Sequence, residues 1–254
     1  MRTICTALVA AFALALVGAA SATDDGVWLF PASHGADTTA SWKAQEGEAD
    51  VQGMANQAVL LEKRSFAANN SAAAHVMGVE GRPVQGLTMS FEYRVKDGVC
   101  NTTDPRWALF VQGRSGRPYE VNLGCKIAPT TAGAEGGWLR KTFSRQLITA
   151  ELLRKGGTDA STGQVSGLAL VFDRSLGHVY VDDLRVIAKG ANNTWTYAGD
   201  NGGTTPPGGT PTFTDAQVAL LSAPNSPDEQ LTQDELFASL SAEEWAQIDA
   251  EPTP

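Results

Sequence analysis

The chain has 254 residues and a net charge of −9, with 28 Asp and Glu against 19 Lys and Arg. The excess is local: from Ala191 onward there are 10 acids and no Lys or Arg, while the preceding chain sets 19 basic residues against 18 acidic ones. A balanced body with an acidic C-terminus argues against nucleic acid and anionic lipid as partners, since phosphate binding wants a basic patch.

Residues 1–22 carry the three marks of an export signal: a positive start at Arg2, an apolar run from Leu8 to Val17, and the small-residue site Ala20-Ser-Ala22. That run is shorter than the ~20 residues of a bilayer span, and no later segment approaches such a length. The sequence predicts a mature protein that begins at Thr23, is secreted (extracellular or periplasmic) and does not insert in a membrane. Cys5 leaves with the signal, so Cys100 and Cys125 are expected to form a disulfide in an oxidising compartment.

Residues 23–198 read as short strands parted by turn residues. The strands are Ala58–Glu62, Leu87–Val95, Trp107–Val111, Tyr119–Leu123, Trp138–Phe143, Val165–Phe172 and His178–Ile187. Leu87, Met89, Phe91, Tyr93 and Val95 alternate with Thr88, Ser90, Glu92 and Arg94, the period of two that gives a strand one wet face. Asp173–Gly177 separates the last two strands and reads as a hairpin turn, with Gly where φ > 0 is needed. Helical signal in this region is confined to Leu147–Lys155, stopped by Gly156 and Gly157. The fold class is all-β, an antiparallel β-sandwich or jelly roll.

Residues 199–212 are a Gly/Pro/Thr linker by composition. Residues 213–254 form an acidic tail with helix signals: a weak one near Asp215–Leu221, a cap at Ser226-Pro-Asp-Glu229, and a capping box at Ser241-Ala-Glu-Glu244 before Trp245. Leu231, Leu236, Phe237, Leu240, Trp245 and Ile248 supply an intermittent apolar face. Short amphipathic helices are marginal alone, so the tail either docks, on a partner or on its own domain, or stays disordered.

Phe91-Glu-Tyr-Arg94, Gly136-Gly-Trp-Leu-Arg-Lys-Thr-Phe143, Gly167–Phe172 and Val179-Tyr-Val-Asp-Asp-Leu-Arg-Val186 together resemble the galactose-binding-like β-sandwich. That superfamily includes many carbohydrate-binding modules of secreted bacterial polysaccharide-degrading enzymes. The resemblance implies a structural calcium on the first acid of the closing strand, Asp182, with acids near the N-terminus; Glu46, Glu48 and Asp50 are loose substitutes for those. The residues themselves leave another reading open: one of Asp182 and Asp183 bonds backbone N–H groups or Arg185 while the other faces solvent.

Sugar binding needs an aromatic face flanked by polar groups. Trp107 and Tyr119 are the first candidates because they flank the loop Gln112–Pro118 inside the expected disulfide, with Arg117 and Asn122 as polar neighbours and Trp42 as a further platform. Each aromatic is equally readable as core. Catalytic motifs are lacking, and His34, His75 and His178 are widely spaced. Glu46, Glu48 and Asp50 are the one acidic cluster a glycoside hydrolase could use, and they read better as a solvated turn. The sequence supports a non-catalytic polysaccharide-binding protein first. Second is an interaction protein whose acidic tail docks a protein partner.

Overall fold

The computed structural model describes residues 26–49, 56–67, 70–97, 100, 104–134, 136–196 and 231–249, without the side chains of residues 95–97. The export signal, the linker at 199–212, the helix near Asp215–Leu221 and the cap at Ser226 lie outside them.

Twelve strands are described: β1 Trp28–His34, β2 Thr38–Ala44, β3 Gln57–Lys63, β4 Ser71–Met77, β5 Thr88–Asp97, β6 Arg106–Gln112, β7 Pro118–Leu123, β8 Thr130–Ala132, β9 Leu139–Phe143, β10 Gln164–Phe172, β11 Gly177–Ala188 and β12 Ala191–Trp195. They form two antiparallel sheets. One has five strands in the order β1-β4-β10-β6-β7; the other has seven, β2-β3-β11-β5-β9-β8, with β12 against β11. The all-β sandwich expected from the strand pattern is what the chain adopts.

Strand alternation builds the core. From the five-stranded sheet Leu29, Val76, Trp107, Leu109, Leu170 and Phe172 point inward; from the other come Leu61, Phe91, Val181, Val186 and Phe143. Their neighbours in sequence point out, so the outer face of the five-stranded sheet carries a second apolar group: Ala73, Ala108, Phe110, Ala169 and Val171. The disulfide is present: Cys100 and Cys125 are bonded, with Cα atoms 5.3 Å apart.

The turn Asp173–Gly177 is not a hairpin. It carries the chain from β10 in one sheet to β11 in the other, with Gly177 at φ 113°. Both strands bury their apolar residues in the same core, and a turn that crosses the core edge does this where a hairpin would keep them in one sheet. Helix α1 spans Arg145–Ser161, longer than the sequence signal, because the chain kinks at Gly157 (φ 58°, ψ −152°) and resumes helical geometry beyond it. Ser144 caps its start, accepting the Leu147 N–H at 3.2 Å.

The tail is docked. Helices α2 Gln233–Ala238 and α3 Ala242–Asp249 pack on α1. Leu236 and Ile248 reach the main core, with Phe237, Leu240 and Trp245 packed beside them. The Ser241–Glu244 box forms as expected, and a second, Thr232–Glu235, starts α2.

Candidate functional site

The outward side of the seven-stranded sheet holds a row across four strands, with Leu60 buried and Ser41, Tyr180 and Arg94 half-buried. Register sets Ser41 on β2 opposite Leu60 on β3, Leu60 opposite Tyr180 on β11, and Tyr180 opposite Arg94 on β5. At ~4.8 Å per strand the row is about 14 Å long. Tyr180 is half-buried, because Val179 and Val181 on either side take the core-facing positions.

Arg94 is held at the end of that row by aromatic and ionic contacts. Its guanidinium lies 5.0 Å from the Trp138 ring centroid and 5.4 Å from that of Tyr180. Its Nη2 donates to Glu46 twice, to the carboxylate at 2.6 Å and to the backbone carbonyl at 2.8 Å. His178 meets the Tyr180 ring edge-on at 5.7 Å. Two polar atoms of the row, Arg94 Nε and Ser41 Oγ, are buried and find no hydrogen-bond partner among the described residues. A guanidinium beside an aromatic ring can address the hydroxyls and the C–H face of a sugar.

Beside the row lies a buried acidic group. Glu92, fully buried, accepts from Arg140 Nε at 2.7 Å and from the Ala134 N–H at 2.9 Å. Arg140 bridges on to Asp183. Burial works to discharge Arg140, but its hydrogen bond to Glu92 and the charges of Asp183 and Glu92 hold its pKa above the usual value. Burial pushes the Asp183 carboxyl up, against the pull of Arg140. Asp183 sits at φ 41°, in the irregular stretch of β11 between Asp182 and Arg185.

Asp182 is buried, with Oδ2 accepting the Glu48 N–H at 2.9 Å and Oδ1 the Asp183 N–H at 2.8 Å. The convergence of the N-terminal acidic segment on Asp182 is therefore real, but a backbone N–H makes the contact. A calcium centre wants six to eight oxygens. Among the described residues no group of three or more His, Cys, Asp or Glu gathers to hold a metal. The two contacts of Asp182 are those of a carboxylate that accepts N–H donors.

The residues first picked out for ligand contact are dispersed. Trp107 is fully buried against Phe91, so it offers no face to a ligand; β6 alternation turns it into the core. Asn122 is buried and accepts from Arg106 Nε at 2.8 Å. Trp42 packs half-buried against the core. Tyr119 and Arg117 do come together, with the guanidinium 5.4 Å from the ring centroid. Tyr119 also donates to Asp159 at 2.9 Å, and the same carboxylate accepts from Ser115 N and Oγ at 2.7 Å each. This cluster pins the Gln112–Pro118 loop to α1. The alternation around Phe91 put Arg94 on the wet face, but the pairing of β5 with β11 that brings Tyr180 to it has no local sequence signal.

The fold and this face define an antiparallel β-sandwich bearing an aromatic–arginine row and a docked helical tail. Among solved structures the chain is similar to the CBM22-1–GH10 modules of the Clostridium thermocellum endo-1,4-β-D-xylanase 10B, at 15% identity and TM-score 0.36 over 64% of this chain and 26% of that one. It is also similar to the CBM22-1 xylan-binding domain of Paenibacillus barcinonensis Xyn10C, at 12% identity and TM-score 0.33 over 62% of this chain and 85% of that one. A third is the family 11 carbohydrate-binding module of a C. thermocellum cellulosomal cellulase, at 11% identity and TM-score 0.32 over 64% of this chain and 87% of that one. No family model and no curated protein matches the chain.

Proposed function

We propose that this chain is a secreted, non-catalytic protein that binds a polysaccharide on the outward side of its seven-stranded sheet. The observation that carries the reading is the Ser41–Leu60–Tyr180–Arg94 row, in which a half-buried ring stands beside a guanidinium side chain that is 29% exposed. Tyr180 supplies the apolar face, and Arg94, already oriented by Glu46 and Trp138, loses little freedom on binding. Glu46 is engaged with Arg94 and Glu48 is buried, so the acidic cluster is not a pair of free carboxylates flanking a cleft. The reading in which the tail's Leu/Phe/Trp face enters a foreign groove is the weaker one, because that face is spent on α1.

Native affinity electrophoresis of the full chain through gels holding a panel of soluble polysaccharides tests the proposal. Retardation in at least one gel, weakened roughly tenfold by Tyr180→Ala and kept by Tyr119→Ala, is expected from the loss of one aromatic platform. Unchanged mobility in every gel overturns it. Mass spectrometry of the exported protein should place its N-terminus at Thr23.

A further inference from the structure

We propose that His34 and His75 form a two-histidine site for zinc on the outward side of the five-stranded sheet. His34 ends β1, and His75 lies in β4, the strand paired with it. Ala32 pairs with Ala73, which belongs to the outer apolar group, so the period of two puts His34 and His75 on that outward side as well. Their Nε2 atoms stand 3.4 Å apart, with ring centroids at 5.6 Å and ring planes inclined by 63°.

That spacing is long for a hydrogen bond, since a well-made N–H···O contact measures about 2.7–3.2 Å. It matches two ligands of one metal. Imidazole nitrogens bind zinc at about 2.0–2.1 Å, and the tetrahedral angle then sets two of them about 3.3–3.4 Å apart. Without metal, one ring donates its Nε2 proton to the other. With metal, that ring carries the proton on Nδ1, and both Nε2 lone pairs turn to the cation.

A donor pair made only of nitrogen suits zinc, copper or nickel rather than calcium or magnesium, which take oxygen. The right angle of a square-planar copper(II) or nickel(II) centre would draw the two nitrogens closer together, so the observed spacing favours zinc. His75 is buried opposite Ala169 of β10, and Ala73 and Ala169 are fully buried beside it. These apolar neighbours keep water from one side of the pair, where the attraction between cation and nitrogen is then less screened. His34 is half-buried, which gives the ion its way in. Among the described residues no group of three or more His, Cys, Asp or Glu gathers, so water takes the remaining positions on the metal. The site does not rest on the polysaccharide reading, which concerns the other sheet.

The chain has three histidines, and the third, His178, lies in β11 of the seven-stranded sheet; Cys100 and Cys125 are bonded to each other. Calorimetric titration of the full mature chain, stripped with chelator, with zinc chloride tests the site. One zinc per chain is expected. His34→Gln and His75→Gln should each weaken binding by about tenfold or more, because one of two protein ligands is lost. Where burial of His75 keeps His75→Gln from folding, the half-buried His34→Gln decides. No zinc bound at millimolar concentration, or zinc bound equally well by the His34→Gln chain, overturns the proposal.

Discussion

The carboxylate of Asp182 accepts the backbone N–H of Glu48 at 2.9 Å across 134 residues of sequence. This contact fastens the segment after β2 to the middle of β11. Its second oxygen takes the Asp183 N–H, which supports the backbone where it turns to φ 41°. Asp182→Ala strands the buried Glu48 N–H and removes the brace at Asp183. A loss of about 2–4 kcal/mol in unfolding free energy is expected from two donors left unpaired, read by urea denaturation. A change below about 1 kcal/mol would mean that the segment is held by something else.

The same geometry bears on calcium. Both Asp182 oxygens are engaged by N–H donors. The melting midpoint should therefore be the same in millimolar calcium and in chelator. A rise of several degrees with calcium would show a site built from residues other than these.

Arg106 is fully buried on the outer side of β6. It forks onto Asp173, with Nη2 to Oδ2 at 3.0 Å, donates Nε to Asn122 at 2.8 Å, and sits 3.4 Å from Asp104. Burial works to discharge it, but the two carboxylates outweigh that and raise its pKa. Arg106→Leu keeps the bulk and leaves Asp173 and Asp104 buried without their cation. The expected cost is about 3–5 kcal/mol, and Arg106→Lys should recover part of it. Equal stability of Arg106→Leu and the unaltered protein would show that the network contributes nothing.

The strands that sequence made legible are those whose alternation or apolar density is local. β5, with Phe91 and Tyr93 inward and Glu92 and Arg94 outward, is one; β11, with its Val and Ile, is another. β4 escaped because Ala72, Ala73 and Ala74 have little strand preference of their own, and its place inside the five-stranded sheet supplies what they lack. β1, which opens at Trp28, carries Pro31, which an edge strand tolerates. The tail's docking was open as an alternative, since the apolar stripe is in the sequence but its seat is not. The site was least legible: Trp107 and Tyr119 flank a constrained loop in sequence, yet strand alternation sends one into the core and Asp159 ties down the other. The row built on Tyr180 depends on register between strands far apart in the chain, which no local pattern encodes.

His75 and His34 face each other across β4 and β1, with Nε2 atoms 3.4 Å apart. Burial, helped by the charge His34 would carry, pushes the His75 imidazole down to about 3, and burial also lowers that of His34. A base whose folded pKa lies below its unfolded value favours the fold above the unfolded pKa, near 6.5. That contribution is lost as pH falls from there toward 3, at about 1.4 kcal/mol for each tenfold change in proton affinity. Asp104 acts in the other direction: burial and Asp173 push its carboxyl up to about 6, so its contribution is present at low pH and fades as pH rises through that value. The two oppose each other between about pH 4 and 6, and the unaltered protein alone does not separate them. His75→Gln removes one side. The melting midpoint of the unaltered protein should exceed that of His75→Gln by most near pH 7, and the gap should narrow steadily toward pH 4. A gap that stays constant over that range would mean that His75 is not held neutral by the fold.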